Sequence, residues 1–220
     1  MKMEEYMYYN QKANDYLSEK SSEMKALIDL TGPVKTFKIT DPFEGLVSQI
    51  IYQSISMKAG NTIWSRFKEN IYPITPESIL NQSYDDMKAI GLSHSKTQYI
   101  IHVADAFYND TINTHFDDLT DDQIITELTK IKGVGEWTAQ MMLIFCFERP
   151  NVISYKDFGI RKGIEWLFDI DHKLTKEEFQ YYKELFSPYA TTASHYLWEV
   201  HAKTYQNKEQ KEICSLFIAL

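Results

Sequence analysis

Leu128-Thr129-Lys130-Ile131-Lys132-Gly133-Val134-Gly135-Glu136-Trp137-Thr138-Ala139 is the stretch that decides the fold. The spacing predicts a helix that ends at Leu128, a short turn carrying two glycines, and a second helix from Glu136 to Phe147. Apolar residues before and inside the turn pack the two helices together. A helix–turn–helix of this kind can be no more than a way to reverse the chain. Here the glycines leave the turn without side chains, so backbone N–H groups at a helix N-terminus can approach a phosphate. Lys130 and Lys132 add local positive charge. Lys132, Gly133, Val134, Gly135 and Thr138 are therefore candidate contacts to a phosphate backbone.

The chain after this hairpin is an apolar run stopped at Arg149-Pro150, then an irregular segment Asn151–Lys156, then Asp157. Asp157 fits the N-cap of a helix reaching Phe168. A lone Asp before a helix is ordinarily only a cap, and capping is compatible with a second, chemical role.

Working outward, helix starts recur. Asp41-Pro42-Phe43-Glu44 places a capping Asp, a first-turn Pro and a Glu at the third helical position. Two helices come next, joined by a loop around Gln53–Ser56. Thr75-Pro76 opens a short helix, Ser83–Ile90 another stopped by Gly91, and Lys96–Phe107 an amphipathic one. Thr120-Asp121-Asp122-Gln123 and Thr175-Lys176-Glu177-Glu178 are capping boxes. Ser187-Pro188 leads into a long segment, Tyr189–Tyr205. Nearer the N-terminus, Tyr16–Ile28 has a weak helical pattern and Val34–Thr40 is an extended connector. An apolar patch at Ile213–Leu220 is expected to cover the core. No strand alternation persists beyond a few residues, so an all-α fold is expected.

The 220 residues carry a net charge of −8, which argues against a broad basic surface for nucleic acid and requires any positive grip to be local. The two cysteines, Cys146 and Cys214, cannot hold a four-cysteine iron–sulfur cluster or a cysteine-only zinc site. Cys146 lies in an apolar run and reads as a small buried hydrophobe. The six histidines include no paired metal-ligand spacing, and Asp117-Asp118 with Asp121-Asp122 read as a solvated helix start. No apolar run approaches the ~20 residues that span a membrane. A cytoplasmic protein, in the bacterial cytosol or nucleoid, is expected.

The hairpin followed by an acid some twenty residues on resembles the helix–hairpin–helix DNA glycosylase superfamily. Asp157-Phe158-Gly159-Ile160-Arg161-Lys162-Gly163 is similar to the string that follows the acid in its alkylated-base branch, the 3-methyladenine DNA glycosylase II family. Ile50-Ile51-Tyr52-Gln53-Ser54-Ile55-Ser56-Met57-Lys58-Ala59, Gly91-Leu92-Ser93 with Lys96, and Ser187-Pro188-Tyr189 with Ala193 and Tyr196-Leu197-Trp198 resemble three further blocks. Ser54 stands where a second Gln is usual, and Ser95, Ser187 and Thr191 stand where arginines are common.

The resemblance implies a single 1–220 domain in two helical lobes, about 36–115 and 116–220 plus 1–35, with the active-site cleft between them. It implies a monomer acting on damaged double-stranded DNA, with no membrane and no required cofactor. A Na+ or K+ ion on the backbone of Ile131 and Val134 at the hairpin is the one ion it suggests. The implied reaction is hydrolysis of the N-glycosidic bond of an extruded alkylated purine such as 3-methyladenine, which starts base excision repair. Asp157 is the implied catalytic carboxylate. Trp198, Trp137, Tyr155 and Tyr52 are candidates for the aromatic base pocket. Gln53, Ser54 and Ile55 form the loop expected to enter the duplex, with Ile55 as wedge and Gln53 pairing with the orphan base. A related branch uses a hairpin lysine where this chain has Trp137, so strand cleavage is not expected. A glycosylase for an oxidised or deaminated base, and a non-catalytic DNA-binding protein, are the alternatives.

Overall fold

The computed structural model describes residues 4–206. Among them are twelve α-helices and two short strands. Strand β1 (Glu4–Tyr8) pairs with β2 (Val34–Lys38) in a two-stranded sheet. The sequence points to the extended connector but not to its partner β1: Glu-Glu-Tyr-Met-Tyr has no clean alternation, and only pairing with a distant segment makes it a strand. Between the strands, the weak pattern over Tyr16–Ile28 is two helices, α1 (Gln11–Lys20) and α2 (Ser22–Thr31). Ser21 divides them. Its backbone is extended and its Oγ accepts the Met24 N–H at 3.1 Å, so it ends one helix and caps the next.

Helices α3 (Pro42–Tyr52), α4 (Met57–Asn70), α5 (Pro76–Leu80), α6 (Tyr84–Ala89), α7 (His94–Tyr108), α8 (Asp121–Thr129) and α9 (Glu136–Phe145) come next. Asp41 caps α3 by accepting the Glu44 N–H at 2.8 Å, and the Thr120–Gln123 capping box forms as its sequence predicts. α9 stops two residues before the expected Phe147, because the N–H groups of Cys146 and Phe147 both return to the Met142 carbonyl. Cys146 is half-buried rather than buried, and burial pushes its thiol up to about 12. Helices α10 (Phe158–Leu167), α11 (Lys176–Phe186) and α12 (Ala190–Gln206) complete the described chain. Ile213–Leu220 and Cys214 lie outside the described residues. No described helix is long and apolar enough to cross a membrane.

The chain divides into two compact units, one of Lys38–Glu148 and one of Glu5–Phe37 with the residues from Arg149 on. The change of unit therefore falls at Glu148, not near residue 115. The reason is packing on α9. A Cβ on Gly45 of α3 would stand 3.0 Å from the Met142 side chain, and the Ile39 N–H reaches the Phe145 carbonyl at 2.8 Å. These contacts fix α9 to the first unit.

In the second unit, Leu17, Met24, Leu27, Ile160, Ile164, Phe186 and Leu197 belong to one buried cluster. Its tightest helix pair is α10 with α12. A Cβ on Gly163 would lie 2.5 Å from the Leu197 carbonyl oxygen, too close for any side chain. In an exposed helix, Gly→Ala is worth up to about 1 kcal/mol of added stability. Gly163→Ala is instead expected to destabilise by about 1–3 kcal/mol through overpacking. Urea unfolding decides the sign, and a more stable variant would contradict the close approach.

Candidate active site and hairpin

Asp157 is 8% exposed at the N-terminus of α10. Its Oδ1 accepts the Ile160 N–H at 2.9 Å, so it caps the helix as its sequence context predicts. The same oxygen accepts the indole N–H of Trp198 at 3.0 Å. A main-chain donor and a side-chain donor from another helix thus fix one carboxylate orientation. The acid is also held through the segment before it. Thr191 Oγ1 donates to the Arg149 carbonyl at 2.5 Å and accepts the Val152 N–H at 3.0 Å. Ser194 Oγ donates to the Val152 carbonyl at 3.1 Å. The early turns of α12 therefore fasten residues 149–152, and a later turn supplies Trp198. Thr191, one of the departures from the family pattern, is a structural staple.

Trp198 is half-buried, and its ring is also set by its neighbours. His195, one turn earlier on α12, meets it edge-on with centroids 5.7 Å apart. Tyr8 of β1 lies 4.5 Å from the His195 ring, and its hydroxyl shares a 2.6 Å hydrogen bond with Thr192 Oγ1. His195 is 5% exposed. Burial pulls its imidazole down from 6.5 to about 4, so the ring is neutral near pH 7.

Tyr155 is used elsewhere. Its ring packs edge-on against Phe179 at 5.4 Å, Arg161 lies over it at 5.2 Å, and its hydroxyl donates to the Leu174 carbonyl. Those contacts tie the segment before α10 to α11 and fix where the ring lies. Trp137 and Tyr52 belong to the first unit, Asp157 and Trp198 to the second. Trp137 is half-buried in the first turn of α9. Tyr52 lies flat over α4, where a Cβ on Gly60 would clash with its ring at 2.3 Å, and its hydroxyl donates to Asn61.

The hairpin is a tight turn. The Ile131 N–H reaches the Leu128 carbonyl and the Val134 N–H reaches the Ile131 carbonyl. Gly133 has φ +102, and an added Cβ would fall 2.2 Å from the Tyr99 ring, so both backbone and space require glycine. The side chains of Ile131 and Val134 are buried, which leaves their backbone atoms as what the turn can offer a ligand. Helices α1–α8, α10 and α11 each begin with a side-chain cap; α9 begins at Gly135 with none. Lys132 is exposed, and its carbonyl accepts from His102 Nδ1 at 3.2 Å. Tyr99 and His102, spaced along one face of α7, are supports that sequence reading missed; their helical spacing from Lys96 was the available signal.

Thr138 is 2% exposed, so its side chain is inside the unit rather than on its surface. There it accepts the Gln53 amide N–H at 3.1 Å. Gln53 is thereby an anchor of the loop to α9 rather than a group presented at the loop tip. Ser54, exposed with φ 56, is at the tip, and Ile55 is half-buried. Lys96 steadies the other side of the loop, its ammonium donating to the Ile51 carbonyl at 2.7 Å; partial burial lowers its pKa. Among the described residues no cluster of His, Cys, Asp or Glu could hold a metal ion.

The His195 shift has a pH consequence. The unfolded chain takes up this proton near pH 6.5 and the folded chain only near 4. Within that window the unfolded state binds more protons, so stability rises with pH, is complete above the window, and is lost as pH falls through it. Urea midpoints of wild type should therefore fall more steeply than those of His195→Phe between these values. Parallel profiles would contradict a buried neutral imidazole.

A family model described as HhH-GPD superfamily base excision DNA repair protein matches residues 47–188. DNA-3-methyladenine glycosylase 1 of Schizosaccharomyces pombe is 32% identical over 197 residues, covering 86% of each chain. A solved structure of the S. pombe 3-methyladenine DNA glycosylase Mag1 in complex with abasic DNA superimposes with a TM-score of 0.79 at 31% identity, over 86% of this chain and 96% of that one. The DNA-3-methyladenine glycosidase of Bacillus halodurans also gives a TM-score of 0.79, at 28% identity over 93% and 95% of the two chains. The chain belongs to the HhH-GPD superfamily of base excision DNA repair proteins.

Proposed function

We propose that the protein is a monofunctional DNA glycosylase that extrudes alkylated purines such as 3-methyladenine and hydrolyses their N-glycosidic bond, the first step of base excision repair. The observation that carries this reading is a buried carboxylate, Asp157, oriented by Trp198. Its setting is a chain matched over most of its length by a relative named as a 3-methyladenine glycosylase.

An N-glycosidic bond breaks toward an oxocarbenium-like sugar. Asp157 stabilises that developing charge and receives a proton from the attacking water. The water oxygen forms the new bond to the anomeric carbon, and the base departs with the electron pair of the broken bond. An alkylated purine is cationic before cleavage and leaves neutral, so a strong general acid is unnecessary. The half-buried Trp198 is suited to receive such a cation on its indole face, a contact worth about 0.5–2 kcal/mol.

The DNA backbone is held at the hairpin. α9 begins at Gly135, which gives it no side-chain cap, and a phosphate suits the positive end of that helix, with Lys132 adding charge. A Na+ or K+ ion fits the same turn only through backbone oxygens, those of Ile131 and Val134. A carbonyl has two lone pairs, so the Ile131 oxygen can serve an ion and the Val134 N–H together. Ser54 and Ile55 are the loop side chains suited to fill the gap left by the base. Trp137 stands where a lyase would need an amine, so the strand is left intact.

Asp157→Asn should lower 3-methyladenine release from methylated duplex by at least about a hundredfold. Asn caps a helix as well as Asp does, so the melting temperature should hold. Wild type should leave an abasic strand that breaks only with alkali, and borohydride should trap no protein–DNA adduct. Normal release by the Asn variant contradicts the role of Asp157; a trapped adduct contradicts the monofunctional assignment.

A further inference from the structure

His195 is buried between two aromatic rings, Tyr8 at 4.5 Å and Trp198 at 5.7 Å. Burying an imidazole has a desolvation cost that a leucine in the same space would not have. The residue lies in a continuous chain of contacts. Thr192 fixes the Tyr8 hydroxyl, Tyr8 packs on His195, His195 meets Trp198 edge-on, and the Trp198 N–H reaches Asp157. Thr192, His195 and Trp198 recur every three residues on α12 and so share one face of that helix. The contacts begin on β1, the strand that joins the second unit from the N-terminal end of the chain.

We propose that His195, backed by Tyr8, is a positioning residue that sets the Trp198 indole so that its N–H meets Asp157. The inference rests on Asp157 being the reacting carboxylate. A ring at residue 195 blocks the rotamers in which Trp198 would swing away from Oδ1, and Tyr8 closes the far side of that ring. The imidazole stays neutral near pH 7, so this surface adds no positive charge beside a site that is to receive a cationic base. Misplacement of a catalytic group by about 1 Å can cost a hundredfold in rate. Loosening it through a neighbour should cost less.

The test compares wild type, His195→Leu, His195→Phe, Tyr8→Leu and Asp157→Asn. Three quantities are read: the single-turnover rate on methylated duplex at saturating protein, the Kd for that duplex, and the Trp198 indole N–H resonance in a proton–nitrogen NMR spectrum. His195→Leu should lower the rate about tenfold while leaving Kd within about twofold, and should move the indole resonance away from its hydrogen-bonded position. His195→Phe, which keeps a ring, should recover the rate to within about threefold and restore the resonance. Tyr8→Leu should act in the same direction as His195→Leu, and it carries the test if His195→Leu does not fold. A leucine variant with wild-type rate and an unmoved resonance overturns the proposal, as does a phenylalanine variant no better than leucine. Normal release by Asp157→Asn overturns the reading on which it rests. If wild type releases no base, the glycosylase reading fails instead, and the NMR arm still decides whether His195 sets the indole.

Discussion

The carbonyl oxygen of Leu197 occupies the space that any side chain at residue 163 would need. Gly163 gives up side-chain packing at that point, and α10 and α12 meet backbone to backbone. The placement of functional groups along each helix depends on that approach. Six residues before Gly163 is Asp157, and immediately after Leu197 is Trp198, so the crossing sets the two at hydrogen-bond distance. Thr191 and Ser194 fasten the incoming segment to the same helix. The acid is thus held from ahead, behind and beside, and in the reaction we propose it has little to reorganise when charge develops nearby.

A net charge of −8 is an unusual background for a protein of a DNA repair family. The hairpin offers a physical resolution. Peptide N–H groups at a helix N-terminus attract phosphate whatever the net charge of the chain, and the residue that begins α9, Gly135, has no side chain to cap them. Tyr99 beneath Gly133 and His102 on the Lys132 carbonyl hold that turn in shape. Of the positions where arginines are common, Thr191 staples the segment before Asp157 and Ser187 accepts the Asn151 amide N–H, while nothing in the structure explains Ser95.

Local signals are legible in the sequence and distant ones are not. The caps at Asp41, Thr120, Asp157 and Thr175 can be read because a cap involves residues three apart. A family block points to Trp198, but its bond to Asp157 spans 41 residues and comes only from the α10–α12 crossing. Tyr155 has an aromatic side chain two residues from the acid, yet Phe179 and Leu174, far along the chain, determine where the ring goes. Gln53 is polar and in a loop, which reads as exposed, but Thr138 gives its amide an internal partner. The Tyr8–His195 pair is out of reach for the same reason, since β1 and α12 lie near opposite ends of the described chain.

In the reaction we propose, the Trp198 N–H holds the Asp157 carboxylate in its working orientation. Trp198→Phe removes that donor while keeping an aromatic face for a base. Its single-turnover rate on methylated duplex, measured at saturating protein, should fall by about ten- to a hundredfold with duplex affinity little changed. A rate within about twofold of wild type would mean that the hydrogen bond is incidental to the acid's placement.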